Sequence, residues 1–534
     1  MANYLFTLTI TPVQSFISQA RKTKDLFVGS EILSSLIRNA LEKVEKEGHI
    51  IFPQNNKFVS NKFVVKLENI TEQELKKLEE SINNEFYLIG SKTLLDMKNI
   101  TIDMKLFQKY FKPQMCNFFK IFWVAIEYDN SKSYQENYRK LEQNLGAVKN
   151  LRTFTQLEQE SGRKCSLCGE RNGLFYSGKK PKYIIKNAIN IKNNQIQEGE
   201  SLCSVCFTKR FYNSNSSPYP STAKIALLDW LKKVENRNQY EKLFNNFDES
   251  LYFKDNLSKE YLEKWGYFKN DDNLTKAIEF LDNLEIDSKQ KRYYALIQFD
   301  IDNMGKELSS LDEEGQKELS KALAEFGEKA KSIVNKSGET IYAGGDDFLG
   351  FVNLAYLFEV LKEVKEAFEI ENLTYSTSII IAHYKAPLHK VLDFSRELLA
   401  ETKAHFDDKN GVGIVVLSDS AINAKTICRY ENLELLKEMQ EQKVGMSLHY
   451  KLHTIFSYLD NMSYDEFLIQ KEMIKVEIKR LLKREDGNFD EKIYNSLIAF
   501  FDNQKIECST NSYEIDLYNF IGYLKTLEQL RKVL

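Results

Sequence analysis

A pair of adjacent carboxylates follows a pair of glycines in the segment IYAGGDDFL, residues 341–349. Gly344-Gly345 between two short apolar runs predicts a hairpin, because primed turns require positive φ. Asp346 and Asp347 at the tip of this turn repel each other unless a cation lies there. Adjacent strand residues point to opposite faces, so the twist of the turn must bring both acids to one site, or one of them contributes less.

A third acid, Asp300, ends the apolar run that starts at Tyr293. Placing this strand beside the hairpin predicts three carboxylates at one sheet edge, and such hard oxygen ligands suit Mg²⁺ or Mn²⁺. Two such ions would activate an attacking hydroxyl and neutralise a departing pyrophosphate. Gly344 and Gly345 would let the backbone approach a triphosphate. The alternative is a solvated hairpin whose acids face water.

Three further residues are candidate ligand contacts. Asp302 lies in the loop between the Asp300 strand and a predicted helix, where backbone N–H groups could cradle phosphate. Asp302 could equally be the cap of that helix. Lys385 and Lys403 are candidate phosphate contacts, although a single lysine on a helix usually faces solvent.

A separate metal site is predicted by four cysteines in a C-x₂-C…C-x₂-C pattern, Cys165, Cys168, Cys203 and Cys206. Two closely spaced pairs supply the tetrahedral thiolates of a structural Zn²⁺ site, and no ligand position remains open for catalysis. Basic residues surround the pattern and could contact RNA phosphates or simply form a solvated surface: Lys164, Arg171, Lys179, Lys180, Lys182, Lys209 and Arg210.

Length and composition limit the function classes. A chain of 534 residues is too long for one core and predicts three or four domains. A formal net charge of -3 gives no overall attraction to nucleic acid. The sequence contains no run of 18 apolar residues, so no membrane span is predicted. The first residues do not look like a signal peptide, so we expect a cytoplasmic protein with reduced cysteines.

The order of predicted elements suggests two related domains. Residues 1–150 show a β-α-β-β-α-β series, with a strand at 4–10, a helix opened by Thr11-Pro12 and a last strand at 121–128. Residues 290–420 repeat the series, with a helix at 307–335 and the glycine hairpin as its central strand pair. The acids occur only in the second copy.

The predicted fold class is therefore α+β and multidomain, with two ferredoxin-like units. Residues 151–289 are predicted to form a cysteine-containing, zinc-binding and helical insert between them. Residues 421–534 show helical stripes of leucine and are predicted to form a C-terminal helical bundle.

Three separated motifs resemble the large palm-containing, polymerase- or cyclase-like subunit of type III-B CRISPR effector complexes, the Cmr complex. They are the N-terminal segment 11–34, the four cysteines, and the Asp300 strand followed by the GGDD hairpin and Lys385-Ala386-Pro387-Leu388. Many members of this family begin with an HD nuclease domain. This sequence has no His-Asp dipeptide and starts at the first palm, so no DNase activity is expected.

The resemblance implies that ATP binds between two palm domains once target RNA activates the second palm. It implies metal ligation by Asp300, Asp346 and Asp347, and a phosphate contact by Lys403. Gly29, Ser30 and Ser34 would line the nucleotide pocket. The implied product is a second messenger, either a cyclic oligoadenylate or AMP joined to S-adenosylmethionine. The implied partners are other Cmr-type subunits, guide RNA and target RNA, in a heteromeric ribonucleoprotein complex. No contact with a membrane is expected.

Two other functions fit the sequence. The chain could be a catalytically silent scaffold that holds guide RNA and neighbouring subunits. It could also be a diguanylate cyclase, since a GGDD hairpin resembles the Gly-Gly-acid-Glu-Phe pattern of those enzymes, although Asp346-Asp347-Phe348 matches it only in part. Use of ATP or GTP separates the enzyme hypotheses.

Overall fold

The structure is a computed structural model, and it describes residues 3–55, 59–68, 70–97, 103–151, 161–191, 195–212, 219–286, 288–344, 346–418, 421–441, 448–456, 464–486, 491–502, 506–509, 512–515 and 517–534. Gly345, predicted to allow close approach of a triphosphate, lies outside these residues. No helix among the described residues is long and apolar enough to cross a bilayer.

The first palm is built on an antiparallel sheet of the order β2-β3-β1-β4. Its strands are β1 (Asn3–Thr11), β2 (Gly48–Phe52), β3 (Lys62–Glu68) and β4 (Lys120–Glu127). Its helices are α1 (Gln14–Ser18), α2 (Thr23–Val44), α3 (Glu72–Leu95), α4 (Met104–Leu106), α5 (Lys112–Cys116) and α6 (Tyr134–Asn150). This strand order is the predicted ferredoxin-like arrangement.

The helix predicted to open at Thr11-Pro12 is two helices, because a new start is built at residues 21–25. The carboxylate of Asp25 accepts hydrogen bonds from the backbone N–H groups of Arg21 and Lys22, at 3.0 and 3.1 Å. A side chain that caps the backbone in this way begins a helix rather than continuing one. The long helix α2 therefore starts at Thr23 and carries one wall of the cleft described below.

The insert between the palms contains a small sheet, five α-helices and two short 3-10 helices among its described residues. Its strands are β5 (Phe175–Tyr176), β6 (Ile189–Asn190) and β7 (Ser201–Leu202), in the order β6-β5-β7. Its helices are α7 (Ser204–Phe211), α8 (Thr222–Leu231), α9 (Arg237–Glu241), α10 (Lys259–Trp265) and α11 (Asp271–Asp282). The four cysteines lie at the start of α7 and in the turn before β5.

The second palm repeats the first sheet and extends it, in the order β13-β12-β11-β8-β10-β9. Its strands are β8 (Tyr293–Ile301), β9 (Gly338–Gly344), β10 (Asp347–Asn353), β11 (Tyr375–His383), β12 (Gly411–Ser418) and β13 (Ala421–Arg429). Its helices are α12 (Met304–Ser310), α13 (Glu313–Asn335), α14 (Leu357–Glu366) and α15 (Leu388–His405). The single helix predicted at 307–335 is divided because Asp312 caps α13, accepting from the N–H of Gly315.

The boundary predicted at residue 420 is wrong as a limit of the second sheet, since β13 pairs with β12 along its whole length. This strand was missed because its residues are mixed rather than apolar, and Ile422 is exposed. The outer edge of β13 is covered by the C-terminal helix: the Asn519 side chain accepts from the N–H of Ile427 and donates to its carbonyl.

The C-terminal region is mainly helical, as predicted. It contains α16 (Tyr430–Glu441), α17 (Leu448–Phe456), α18 (Tyr464–Asp486), α19 (Glu491–Asp502) and α20 (Leu517–Val533). It also contains a short hairpin that helical spacing did not predict, β14 (Ile506–Ser509) and β15 (Ser512–Ile515). The multidomain α+β fold class is confirmed.

The two palms share their apolar cores. One continuous core joins α2, α3 and the insert to the face of the second sheet that carries Leu296 and Leu349. A second core joins the opposite face of the first sheet to α13, α14 and the C-terminal helices. The hydrophobic effect therefore holds the palms against each other.

Candidate active site

The hairpin acids and Asp300 come from neighbouring strands. In the antiparallel pair of β8 and β10, Asp300 is the direct cross-strand partner of Asp347. Such partners have Cβ atoms about 4.5–5.5 Å apart. The N–H of Ile301 also donates to the carbonyl of Asp346 at 3.0 Å, which ties the hairpin tip to the end of β8. The fold therefore brings together three acids that are far apart in sequence.

Electrostatics at the hairpin disfavours two free carboxylates. Burial raises the pKa of Asp346. Burial, and next the charge of Asp346, raise the pKa of Asp347 to about 7. The charge of Lys62 opposes the rise in the pKa of Asp346 as a smaller cause, and within the described residues no positive charge opposes the rise at Asp347. A cation is the missing partner that would restore the ionised form of both acids.

The three carboxylates do not converge on one point. The ammonium group of Lys403, on α15, forms an ion pair with Asp300 and lies 3.7 Å from Asp302. Among the described residues, only the cysteines place three or more metal-ligating atoms within reach of one ion. The all-oxygen donor set of the acids nevertheless fits Mg²⁺ or Mn²⁺.

Asp302 was predicted to lie in a phosphate-binding loop or to cap a helix, but in the structure it connects strands instead. It is buried, and its carboxylate accepts hydrogen bonds from Thr374 Oγ1, Ser376 Oγ and the N–H of Asn410, at 3.0, 3.0 and 3.1 Å. The residue at the start of α12 is Asn303, which has φ of 58° and no capping side chain. Asp302 therefore ties β8 to β11 and to the loop before β12.

The two candidate lysines lie at opposite ends of the second sheet. Lys403 is beside Asp300, as described. Lys385 follows the end of β11, where His383 pairs with Tyr293 at the start of β8. Seven residues of strand separate Tyr293 from Asp300, which is roughly 23 Å at the rise of a β-strand. Lys385 donates to Asn256 of the insert at 2.7 Å and is outside the cleft.

A cleft opens between the two palms directly above the hairpin. It encloses about 890 Å³ when its open mouth is included. The first palm contributes residues of α1, α2 and the segment 59–61, and the second palm contributes Gly344, Asp346 and Asp347. A Cβ atom on Gly344 would lie 3.1 Å from the carbonyl oxygen of Val59, so glycine permits close approach of the palms there.

Of the three residues predicted to line the nucleotide pocket from the first palm, two line the cleft and one faces away from it. Ser30 and Ser34, one turn apart on α2, line the cleft. Gly29 does not line it: a Cβ there would contact Ile17 Cα and Lys209 Cδ, both at 3.5 Å. Gly29 therefore faces α1 and the insert instead of the nucleotide-sized cleft, and the prediction that it lines the pocket is corrected.

Several cleft residues were not predicted from the sequence. Gln298, Tyr342 and Arg396 line the cleft beside the acids. Burial, and next the charges of Asp347 and Asp346, raise the pKa of Tyr342. Gln298 carried a signal that could have found it, because it lies two residues before Asp300 and shares its face of the strand. Arg396 carried none, since it belongs to a helix whose packing only the tertiary structure fixes.

The cysteine cluster is complete. The sulfur atoms of Cys165, Cys168, Cys203 and Cys206 all lie within 4.8 Å of one another, and three of the four residues are buried. Cys203 caps α7, and its Sγ accepts from the N–H of Cys206 at 3.4 Å. This arrangement can hold a metal ion.

Two members of the basic group around the cysteines are buried, so they cannot form an RNA-binding surface. Lys209 donates to the carbonyl of Gln19 at 2.7 Å. Arg210 contacts both carboxylate oxygens of Asp25, at 2.5 and 2.8 Å. Burial alone would raise the pKa of Asp25, but the charge of Arg210 overrides it and holds that pKa at about 2. Lys209 and Arg210 thus fasten α7 to the first palm.

Two family models match the chain. Residues 293–413 match "Cas10/Cmr2, second palm domain" and residues 5–132 match "CRISPR-associated protein Cmr2, N-terminal". The first range ends inside β12 and the second ends before α6, so together they cover most of the second and first palms.

Two curated relatives also match. The chain is 26% identical over 638 residues to the CRISPR system Cmr subunit Cmr2 of Pyrococcus furiosus, covering 92% of this chain and 71% of that protein. It is 28% identical over 219 residues to the CRISPR system CMR subunit Cmr2 of Saccharolobus solfataricus, covering 30% of this chain and 21% of that protein.

Solved structures share the fold at low identity. A type III-B Cmr-beta structure in the apo state gives a TM-score of 0.63 at 15% identity, covering 99% of this chain and 82% of that one. Cmr-beta bound to cognate target RNA gives 0.65 at 15% identity, covering 99% and 83%. A Csm1-Csm4 cassette in complex with cA4 gives 0.51 at 11% identity, covering 99% and 70%. Both palms are thus matched in order by models of Cas10/Cmr2 proteins, and over 92% of its length the chain is similar to a Cmr2 subunit of a CRISPR system.

Proposed function

We propose that this chain is a nucleotidyltransferase that uses ATP and a divalent cation to make an AMP-containing second messenger, with release of pyrophosphate. The observation that carries the proposal is the cross-strand pair of Asp300 and Asp347, together with the position of Asp346 and Asp347 in the lining of the cleft between the palms. Acids with raised pKa values in a cleft between two domains are typical of functional sites.

Each cleft residue has a defined part in this proposal. Asp300, Asp346 and Asp347 would hold the cation, which when bound would activate an attacking hydroxyl and neutralise the leaving pyrophosphate. Gly344 allows the backbone to approach phosphate oxygens without a side chain in the way. Ser30 and Ser34 offer hydroxyl groups to the nucleotide from the opposite wall. When the cation binds the carboxylate of Asp300, the ammonium group of Lys403 would leave that carboxylate and contact a phosphate of the nucleotide.

The partners in this proposal are the other subunits of a Cmr-type complex, with guide RNA and target RNA. Two similar structures are of Cmr-beta, one of them bound to cognate target RNA, and a third similar structure is in complex with cA4. A cyclic oligoadenylate is accordingly one proposed product, and an AMP conjugate of S-adenosylmethionine is the other. The cysteine cluster is proposed to hold a structural Zn²⁺.

The test is product formation by the assembled complex with target RNA, Mg²⁺, ATP and S-adenosylmethionine, analysed by mass spectrometry. Asp346→Ala and Asp347→Ala should each abolish the product while the complex still assembles. Lys385→Ala is the matched control, because this residue is at the far end of the sheet. Continued synthesis by either aspartate variant contradicts the assigned chemistry, and use of GTP in place of ATP would support a diguanylate cyclase.

A silent scaffold is a second candidate function, favoured by the ion pair between Lys403 and Asp300. In that case the pair permanently neutralises Asp300, and the palm serves only to hold RNA and neighbouring subunits. The same assay decides between them, since a scaffold consumes no ATP at any concentration of target RNA or metal.

A further inference from the structure

Gln298 lies one step below the acids on the floor of the cleft. On β8 it is two residues before Asp300, so both side chains are on the same face of the sheet. Its cross-strand partners are Leu349 on β10 and Ser378 on β11. One such step along a strand is about 7 Å. A nucleotide whose phosphates lie over Asp300 therefore has its nucleoside near Gln298.

The amide of Gln298 has a fixed direction. Its Oε1 accepts a hydrogen bond from Ser395 Oγ at 2.8 Å, and Ser395 Oγ lies 2.9 Å from Ser378 Oγ. Both serines are fully buried, so this chain of hydroxyl groups is shielded from water. Because the amide group is planar, holding Oε1 toward α15 directs Nε2 to the other side of the side chain, where the cleft opens.

The nitrogen of this amide is left without a partner. Gln298 is 6% exposed, and within the described part of the chain its Nε2 donates no hydrogen bond. A donor on a mostly buried side chain that meets no acceptor from the protein is available to an acceptor on a ligand. Gln298 lines the cleft, and the acceptor it awaits is on the ligand.

The side chains around Gln298 indicate which part of a nucleotide would lie beside it. The cleft walls carry apolar side chains, namely Ile17, Leu33, Ile37, Leu349 and Leu392. Such walls suit the flat faces of a base better than the hydroxyl groups of a ribose. The ring nitrogens of adenine accept hydrogen bonds, whereas its exocyclic amino group donates them.

We propose that Gln298 binds the base of the nucleotide by donating a hydrogen bond from Nε2 to a ring nitrogen of adenine, with Ser395 as the residue that positions the amide. This inference rests on the proposed function, because it takes ATP as the substrate. It adds a direct contact to the base, for which the sequence offered no candidate.

The experiment measures binding of ATP and of its 1-deaza, 3-deaza and 7-deaza analogues to the full chain with Mg²⁺, by calorimetry. Gln298→Met keeps the length of the side chain but removes the donor. The wild-type chain should bind one deaza analogue about tenfold more weakly than ATP, as expected for loss of one hydrogen bond. Gln298→Met should bind ATP about tenfold more weakly and no longer distinguish that analogue from ATP.

Gln316→Met is the matched control. Gln316 is also fully buried, but its amide is satisfied within the chain, by Tyr134 Oη at 2.8 Å and the carbonyl of Leu308 at 2.6 Å. The Gln316→Met variant should distinguish ATP from the deaza analogue as well as the wild type does. Ser395→Ala should weaken discrimination in the same direction as Gln298→Met but by less, because the amide keeps its donor and loses only its orientation.

Several outcomes overturn the inference. Unchanged discrimination between ATP and the deaza analogues in Gln298→Met does so. Loss in that variant of discrimination against 2′-deoxy-ATP alone does so as well, because it would place the contact on the ribose. If the wild-type chain binds no ATP, both this inference and the proposed function fail. If it binds ATP with the expected discrimination but the assembled complex forms no product, the proposed function fails and the assignment of Gln298 stands.

Discussion

The cysteine cluster and the carboxylate hairpin differ in how far folding alone brings their ligands together. The four sulfur atoms lie within 4.8 Å of one another without a metal. The acids are placed on adjacent strands, but Asp300 is held by Lys403 and the pKa of Asp347 is raised to about 7. The first site is a part of the fold, and the second is left for a ligand to complete. This contrast is the one expected if, as proposed, the cysteines hold a structural metal and the acids hold a metal that binds together with the substrate.

The largest effect should come from the cysteines. Cys206→Ser removes one thiolate of a buried cluster at the start of α7, which fastens the insert to the first palm through Lys209 and Arg210. Metal binding at such sites stabilises small domains by about 10–16 kcal/mol in isolated peptides. We expect loss of bound zinc, measured by elemental analysis, and a lower melting temperature. An unchanged melting temperature would show that the cluster is not a structural element.

Asp347→Asn should have the opposite effect on stability. A carboxyl group whose pKa rises from 3.8 in the unfolded chain to about 7 in the fold binds a proton more tightly when folded. The metal-free chain should therefore lose stability as pH rises from about 4 to 7, by at most about 4 kcal/mol. Asp347→Asn should remove this loss, and urea unfolding at several pH values measures it.

Mg²⁺ provides the check on that prediction. Saturating Mg²⁺ should flatten the pH dependence of the wild-type chain and leave the Asp347→Asn variant unchanged, because only the wild type gains a cation at this position. The free energy of unfolding could instead depend on pH in the same way in Asp347→Asn and in the wild type without metal. In that case burial of the hairpin acids is not what distinguishes the hairpin from the cysteine cluster.

A smaller change is expected at Lys403. Lys403→Met removes the ammonium group that competes with a cation for Asp300, so the affinity for Mn²⁺ should rise severalfold, as expected for a half-buried ion pair of roughly 1 kcal/mol. Titration of Mn²⁺ followed by electron paramagnetic resonance measures this. Weaker Mn²⁺ binding would show that Lys403 supports the metal site instead of closing it.

The smallest effect is expected at Lys385. Lys385→Ala removes a side chain that donates to Asn256 at 2.7 Å, at the end of the sheet remote from the acids. Nucleotide turnover by the assembled complex should stay within experimental error of the wild type. A loss as large as that of Asp347→Ala would mean that this end of the sheet also contacts the substrate.

The sequence alone determined the parts of the molecule that depend on local spacing. Glycine pairs, apolar strand patterns and the C-x₂-C pairs were enough to predict the hairpin, the repeated palm series and the cysteine cluster. Each is a feature of a few adjacent residues whose conformation or ligand geometry is set within a turn or a strand. The edge strand β13 was missed because its mixed residues carry no such pattern.

Only the tertiary structure decided which polar residues face the cleft and which hold the domains together. Asp302, Lys209 and Arg210 read as ligand contacts in the sequence, yet each is buried with partners from distant segments. Gln298 read as an ordinary strand residue, yet it faces the cleft with an unfilled donor. The reason is physical: the role of a charged or polar group depends on what surrounds it after folding, and that neighbourhood is built by residues remote in sequence.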